Sequence, residues 1–286
     1  MQENLSHSSN HFSENTDTIA IIGAGNMGAS LLGGLIAKHY PPEKIWITGV
    51  LTEKLDQLQK KFKVHATTNN LAAIEKANIV IFAIKPQIFA KIALELAEAI
   101  QRHRPLVISI ATGITAASIQ HWLGGGISIV RSMPNTPALI GCGATALFAN
   151  DYVTKNQQHL AESILRAVGI TLWLDKESLI DAVTALSGSG PAYFFLMIEA
   201  LQQAGEKLGL SQEVARLLTL QTAYGAARMA LESEKSVLEL RAAVTSPNGT
   251  TEQAIKVLEK ARIRDIMAAT LLAAQKRAEE LSKEFG

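Results

Sequence analysis

The chain has 286 residues, enough for two domains at about 100 to 200 residues each. Its 48% hydrophobic and 19% charged residues exclude a disordered polymer. With 27 Lys and Arg against 26 Asp and Glu, and no basic run, it lacks the electrostatic footprint of a nucleic-acid binder. The lone Cys142 forms no intrachain disulfide and the histidines lack zinc-type spacing, so no metal is expected and the chain reads as one of a reducing cytoplasm. Cys142 itself reads as a small buried residue.

Residues 1–17 (MQENLSHSSNHFSENTD) are polar and lack the cationic start and apolar block of a signal peptide, so a disordered extension is expected. From Thr18 to Trp173, short β-rich runs alternate with amphipathic helical stretches, the pattern of a parallel sheet wrapped by helices. Strands are expected at Thr18–Gly23, Lys44–Gly49, Val64–Ala66, Asn78–Ala83, Leu106–Ile110, Ile127–Arg131, Ala144–Ala149 and Thr171–Trp173. IVIFAI and LVISI are continuous aliphatic runs, as strands covered on both faces should be. Apolar stretches are broken by glycine or charge before about 18 residues, so no membrane span is expected.

Gly23, Gly25 and Gly28 form GxGxxG between the first strand and a helical run. The first glycine permits a tight turn, the second lets a pyrophosphate approach the backbone, and the third lets helix and strand pack closely. Phosphates then meet the positive helix end, which makes this a dinucleotide site. NAD-type sites usually place an acid about 20 residues on, at the end of the second strand. Here that strand ends Thr48-Gly49-Val50 and the first acid is Glu53, which leans toward NADP(H). Thr52 and Lys54 are candidate contacts; a helix N-cap and a solvated lysine are their structural readings.

Three further strand ends belong in the same crevice, because ligands of doubly wound sheets lie outside the carboxyl ends of the strands. They are Ala83-Ile84-Lys85-Pro86, where a stiff Lys-Pro step offers a cation, Ser109-Ile110-Ala111-Thr112-Gly113, whose small residues admit a flat ring, and the rigid Met133-Pro134-Asn135-Thr136-Pro137.

After Lys176 apolar positions recur at helical spacing through five or six helices. The expected division is a Rossmann-type α/β domain at 18–174, doubly wound around a mainly parallel sheet, followed by an all-helical domain at 175–286. Stretches 192–208 and 212–231 are apolar on more than one face and ask for more partners than a small domain supplies. Ser246–Gln253 (SPNGTTEQ) reads as a helix start, with Thr250 as N-cap and Gln253 completing a capping box, and also as a carboxylate site. Ser187–Pro191 (SGSGP) reads as a second helix start with proline at its first position.

Together IIGAGNMG, FAIKPQ, SIATGI, RSMPNTPALIG, LSGSGPAYFF and VTSPNGTTEQA resemble, in this order, the signature segments of the Δ1-pyrroline-5-carboxylate reductases, from residue 18 to about 275. The resemblance implies reduction of a cyclic imine to L-proline with NAD(P)H, NADP(H) favoured and NAD(H) usable. It implies a helical domain through which two chains interlock, as a homodimer or as a decamer of five dimers. It carries cofactor contacts onto Gly23, Gly25, Asn26, Met27, Gly28, Asn70, Ala83, Lys85 and Pro86, with Ala111 and Gly113 as the nicotinamide wall. It carries the substrate carboxylate onto Gly249, Thr250 and Thr251, helped by Ser187 and Ser189, with the Thr251 or Ser187 hydroxyl, or a water they hold, attending the proton. Glu234 is a further proton candidate, a solvated glutamate otherwise.

Two departures stand out. Family members usually carry Gly-Gly where this chain has Asn248-Gly249, and Asn tolerates left-handed backbone angles. NADP-preferring relatives often carry Arg where this chain has Val50. A β-hydroxyacid or 6-phosphogluconate-type dehydrogenase would need a lysine in the helical domain, yet Lys207, Lys235 and Lys256 lie in no glycine-flanked helix start. A redox-sensing regulator would need a basic face, which the charge balance does not offer.

Overall fold

The computed structural model describes residues 17–285. The expected extension therefore lies outside the described residues, except for Asp17, whose carbonyl accepts from the buried Tyr40 hydroxyl.

In chain order the first elements are β1 (Ile19–Ile22), α1 (Asn26–Ala37), β2 (Ile45–Thr48), α2 (Thr52–Phe62), β3 (His65–Thr67), α3 (Asn70–Ile74) and β4 (Ile79–Phe82). They are followed by α4 (Pro86–His103), β5 (Leu106–Ser109), α5 (Ala116–Trp122), β6 (Ile129–Met133), β7 (Gly143–Ala149), α6 (Lys155–Arg166) and β8 (Gly169–Trp173). Among the described residues the strands form one sheet of eight in the order β3-β2-β1-β4-β5-β6-β7-β8.

Alternate side chains of the central strands leave on opposite faces and build two cores. Ile19, Ile21, Ile79, Ile81 and Ile108 pack with Leu31, Leu32 and Leu35 of α1 and Ile164 of α6. Ala20, Ile22, Val80, Phe82 and Val107 pack with Phe89, Ala93 and Leu96 of α4 and Ile119 of α5. This is why β1, β4 and β5 read as unbroken aliphatic runs.

All eight expected strands form, with ends displaced by one or two residues. The largest shift is at β6, which starts at Ile129 instead of Ile127. Both backbone groups of Ile127 are taken by the Gln120 amide of α5, so Ile127 is withdrawn from the ladder. β7 runs antiparallel to β6 because a single 3-10 turn, Thr136–Ile140, joins them, too short for a crossover. Cys142, in that connection, is exposed, which corrects the expectation of a buried thiol.

The remaining elements are α7 (Leu179–Val183), a π-helical turn at Thr184–Gly188, α8 (Gly190–Lys207), α9 (Gln212–Glu232), α10 (Val237–Ala243), α11 (Thr250–Lys260) and α12 (Ile263–Phe285). One compact unit runs to Gly188 and takes back the chain from Ala274; the other is Ser189–Ala273. The expected boundary at 174/175 thus falls inside the first unit. Ile180 of α7 packs with Met133 and Ala146 of the sheet, and Phe285 packs on the core beside α4 and α5.

In the second unit α8 packs on α9 through Gly205, Ala215 and Leu210. The turn between them uses Gly209 at φ 98° and Ser211, whose hydroxyl caps α9 by accepting from the Val214 N–H at 3.3 Å. Each of these two long helices keeps one fully buried residue, Gly190 and Ala215. Phe194, Phe195, Leu196, Leu217, Leu218 and Tyr224 are all more than half exposed, an apolar surface far beyond what a monomer normally shows water. By length and composition the helical stretch Leu179–Lys207 is apolar enough to cross a membrane. Core helices of water-soluble proteins pass the same test, so the stretch does not overturn the expectation of no span.

Candidate active site

At the end of β1 the three motif glycines meet three different constraints. Gly23 has φ 115°, and a Cβ there would lie 2.4 Å from the Ala83 carbonyl oxygen, so only glycine fits. A Cβ on Gly28 would lie 2.1 Å from the Gly23 oxygen, which makes this glycine the point of closest helix–strand approach. At Gly25 the nearest atom, the Ala83 oxygen, is 4.0 Å away and the residue is exposed, so the cradle opens there. Gly25 is also the N-cap of α1, and the first turn of that helix holds no acid to compete for its N–H groups. A tight turn, an opening at the middle glycine and an uncontested helix start, lined by Asn26 and Met27, fit a dinucleotide pyrophosphate.

Ala83 belongs to the same cluster by its carbonyl. Lys85 is the exposed N-cap of α4, and Pro86 occupies the first helical position, where a missing N–H costs nothing. Val50 and Leu51 stand exposed after β2, and Leu51, not Thr52, is the N-cap of α2. Thr52 is the first residue of that helix and its hydroxyl makes no capping bond. Asn70 likewise opens α3, while the neighbouring Asn69 caps it by accepting from the Ala72 N–H at 3.2 Å. After β5, Ala111 is buried and Gly113 has φ 75°; a Cβ on Gly113 would meet Leu281 of α12 at 3.2 Å. Gly113 is therefore required by packing and backbone angle.

The sequence reading missed a buried charge cluster on the same sheet. Arg131, 3% exposed in the middle of β6, binds Glu177 at 3.0 Å and approaches Asp181 of α7 at 3.8 Å. Glu177 also accepts from the Ala116 N–H at 2.7 Å, tying the start of α5 to the same cation. An arginine inside the otherwise uncharged run IVRSM was the signal, because a charge so placed requires partners. Burial raises the Asp181 carboxyl above its ordinary value; Arg131 and the Ser282 hydroxyl oppose the rise, while Glu279 and Glu177 add to it. An acid whose folded-state value is raised stabilises the fold at low pH, and that contribution is lost as pH rises through the folded value. Asp181→Asn should therefore gain stability relative to the parent at pH 8 compared with pH 4, measured as the difference in urea midpoints. A difference independent of pH would refute this.

The SGSGP segment does start a helix, with Ser189 as N-cap of α8 and Pro191 in its first turn, but Ser187 lies ahead of it. Ser187 lies in the π-helical turn that follows α7, its hydroxyl donates to the Val183 carbonyl at 3.2 Å, and α8 begins only at Gly190. Single π-turns inside helices occur often at functional sites. Ser189 is the N-cap of α8 in αR geometry and makes no side-chain capping bond.

In the second unit the SPNGTT turn is built differently from the expected capping box. Gly249 is the N-cap of α11, Thr250 and Thr251 are its exposed first two residues, and no side chain caps the helix. Glu252, not Gln253, reaches back, accepting from the Asn248 N–H at 3.1 Å. That carboxylate also binds Lys256 at 2.9 Å, and these two bonds hold it below its ordinary value. Asn248 has φ 59°, so it adopts the left-handed angle that the turn requires. Glu234 is exposed. Among the described residues no group of His, Cys, Asp and Glu is placed to hold a metal ion.

Residues 177–281 match the family model described as pyrroline-5-carboxylate reductase dimerisation, and residues 18–113 match one described as NADP oxidoreductase, coenzyme F420-dependent. The chain is similar to the pyrroline-5-carboxylate reductase of Pseudomonas aeruginosa, at 48% identity over 271 residues, spanning 95% of this chain and 99% of that protein. It is also similar to the solved structure of a pyrroline-5-carboxylate reductase from Coxiella burnetii, at 51% identity and TM-score 0.91, covering 94% of this chain and 99% of that one. The Plasmodium falciparum pyrroline carboxylate reductase, solved with NADP bound, superposes at TM-score 0.83 with 29% identity, over 94% and 99% of the two chains. A segment described for dimerisation explains why α8 and α9 expose so much apolar surface in a single chain. With a dinucleotide cradle in its sheet unit and near-full-length similarity to these reductases, the chain belongs to the pyrroline-5-carboxylate reductase family.

Proposed function

We propose that this protein reduces 1-pyrroline-5-carboxylate to L-proline, the last step of proline synthesis. The observation that carries the reading is the glycine turn, where Gly25 leaves the room a pyrophosphate needs, in a chain of this family. When bound, the reduced nicotinamide supplies a hydride to the C=N carbon. The chain's own task is then to hold two reactants in line, which can lower a barrier by about 7–11 kcal/mol.

Gly23, Gly25, Asn26, Met27 and Gly28 hold the pyrophosphate in this reading, and Lys85 offers a cation beside it. Thr52, Asn70, Ala83, Pro86, Ala111 and Gly113 complete the cofactor contacts. NADPH is the favoured donor and NADH a usable one. In support, the end of β2 carries no acid to repel a 2′-phosphate, and Glu53 lies within α2. The N–H groups opening α11 at Thr250 and Thr251, with Gly249 before them and Ser189, take the substrate carboxylate. The Ser187 proton is engaged with Val183, so its oxygen is suited to steady the iminium N–H, which leaves the Thr251 hydroxyl or a water on it to deliver the proton. Two chains pair through the segment 177–281, and light scattering distinguishes a homodimer from a decamer of five dimers. A cytoplasmic location goes with a substrate and donor drawn from soluble pools.

The test is consumption of NADPH or NADH absorbance with the imine, with proline as product; folded protein inactive with both cofactors overturns the assignment. Thr251→Ala should raise the imine KM or lower kcat, and an unchanged kcat/KM would remove that hydroxyl from the site.

A further inference from the structure

Three alternate residues of β6 and its extended continuation meet the helical segment that carries Ser187. Arg131 grips α7 through Glu177 and Asp181. Two residues on, the Met133 methyl fills the space beneath Gly188; a Cβ on Gly188 would lie 2.5 Å from it. Two further on, Asn135 donates from Nδ2 to the Ser187 carbonyl at 3.1 Å. Its Oδ1 accepts from the Ala144 N–H of β7 at 2.9 Å, so the amide is fixed at both ends. Residues two apart in an extended chain point the same way, and Asn135 is itself extended at φ −129° and ψ 168°. β6 and its continuation thus form a rail under α7 and the π-turn.

The rail also reaches the turn after β5. The Thr112 hydroxyl lies 3.7 Å from the Met133 sulfur, and the Ser132 hydroxyl donates to the Ser109 carbonyl at 2.9 Å. Met133 therefore touches the segment read as the nicotinamide wall on one side and the segment read as substrate-facing on the other. All of these groups lie within one compact unit.

We propose that Asn135 is a positioning residue for the reduction: by fixing the Ser187 carbonyl, it sets the π-turn in register with the Ala111–Gly113 turn. The Ser187 carbonyl needs an outside donor because the residue four positions on is Pro191, which has no N–H to give it. The inference rests on the proposed imine reduction, with Ser187 beside the substrate. Asn135 touches neither reactant, so its effect is on alignment, where a displacement of about 1 Å can cost roughly 100-fold in rate.

The experiment uses the purified full chain. The parent protein is first assayed with pyrroline-5-carboxylate and NADPH; inactivity there overturns the imine reading and this inference with it. In an active background, Asn135→Asp keeps the oxygen that accepts from Ala144 but replaces the donor to Ser187 with a second acceptor. Its kcat/KM for the imine is expected to fall by about 100-fold, with NADPH affinity in a fluorescence titration unchanged. An imine kcat/KM equal to that of the parent overturns the positioning role alone, as does a parallel loss of imine turnover and NADPH affinity, the pattern of general destabilisation. Should Asn135→Asp not fold, Asn135→Ser, which removes the donor without adding charge, is read by the same criteria.

Discussion

Gly25→Ala is expected to leave the fold intact while weakening NADPH binding by roughly tenfold to a hundredfold. The added methyl meets nothing closer than the Ala83 oxygen at 4.0 Å, and Gly25 sits at φ −67°, open to any residue. The change in unfolding free energy should therefore stay within about 0.5 kcal/mol, as for a surface substitution. Its methyl stands where the phosphates must approach, and a charge-assisted bond lost there costs about 1.5–3 kcal/mol. Gly28→Ala provides the contrast, because its Cβ would fall 2.1 Å from the Gly23 carbonyl oxygen and backbone must move. That variant should lose about 1–3 kcal/mol of stability or more as well as the cofactor. Urea titration and NADPH fluorescence separate the two cases. Unaltered NADPH affinity in Gly25→Ala would place the pyrophosphate elsewhere.

Arg131→Met should cost about 3–5 kcal/mol, the largest stability loss expected in the molecule, because it strands two partly buried carboxylates. Glu177 and Asp181 keep side-chain exposures of only 24% and 15%, so water compensates them poorly. Lost attraction is the smaller part of the effect; the uncompensated charges are the larger. Combining Arg131→Met with Glu177→Gln and Asp181→Asn should accordingly recover most of the loss, since the amide still accepts from Ala116 and no charge remains unpaired. A single-variant loss under about 1 kcal/mol, the range of exposed ion pairs, would contradict this picture.

Site and fold were not equally legible along the chain. The sheet could be read because each central strand carries its own evidence: IAII, IVIF and LVIS are buried on both faces by helices of ordinary amphipathic pattern. The glycine turn could be read because its spacing is local, although the room at Gly23 and Gly25 is set by the Ala83 carbonyl of another strand end; turn, opening and close approach fall to Gly23, Gly25 and Gly28 in that order. Caps were read less well. Thr250 and Thr52 were each displaced by one position, since a cap depends on one dihedral angle that a neighbouring residue can equally accept.

By itself, the order of residues determined the doubly wound sheet, the dinucleotide turn and the surplus of apolar helix that the matched dimerisation segment explains. These follow from periodicity and from steric limits acting within a few residues. Only the tertiary structure decided which groups Arg131, Asn135 and Gly113 meet, because their partners lie 46 and 50, 52, and 168 positions away at Glu177 and Asp181, Ser187, and Leu281. It also placed the first two residues of SGSGP in a π-turn ahead of the helix that the segment starts. Asn135, held by β7, supplies the donor that the Ser187 carbonyl cannot find four positions on, where Pro191 has no N–H.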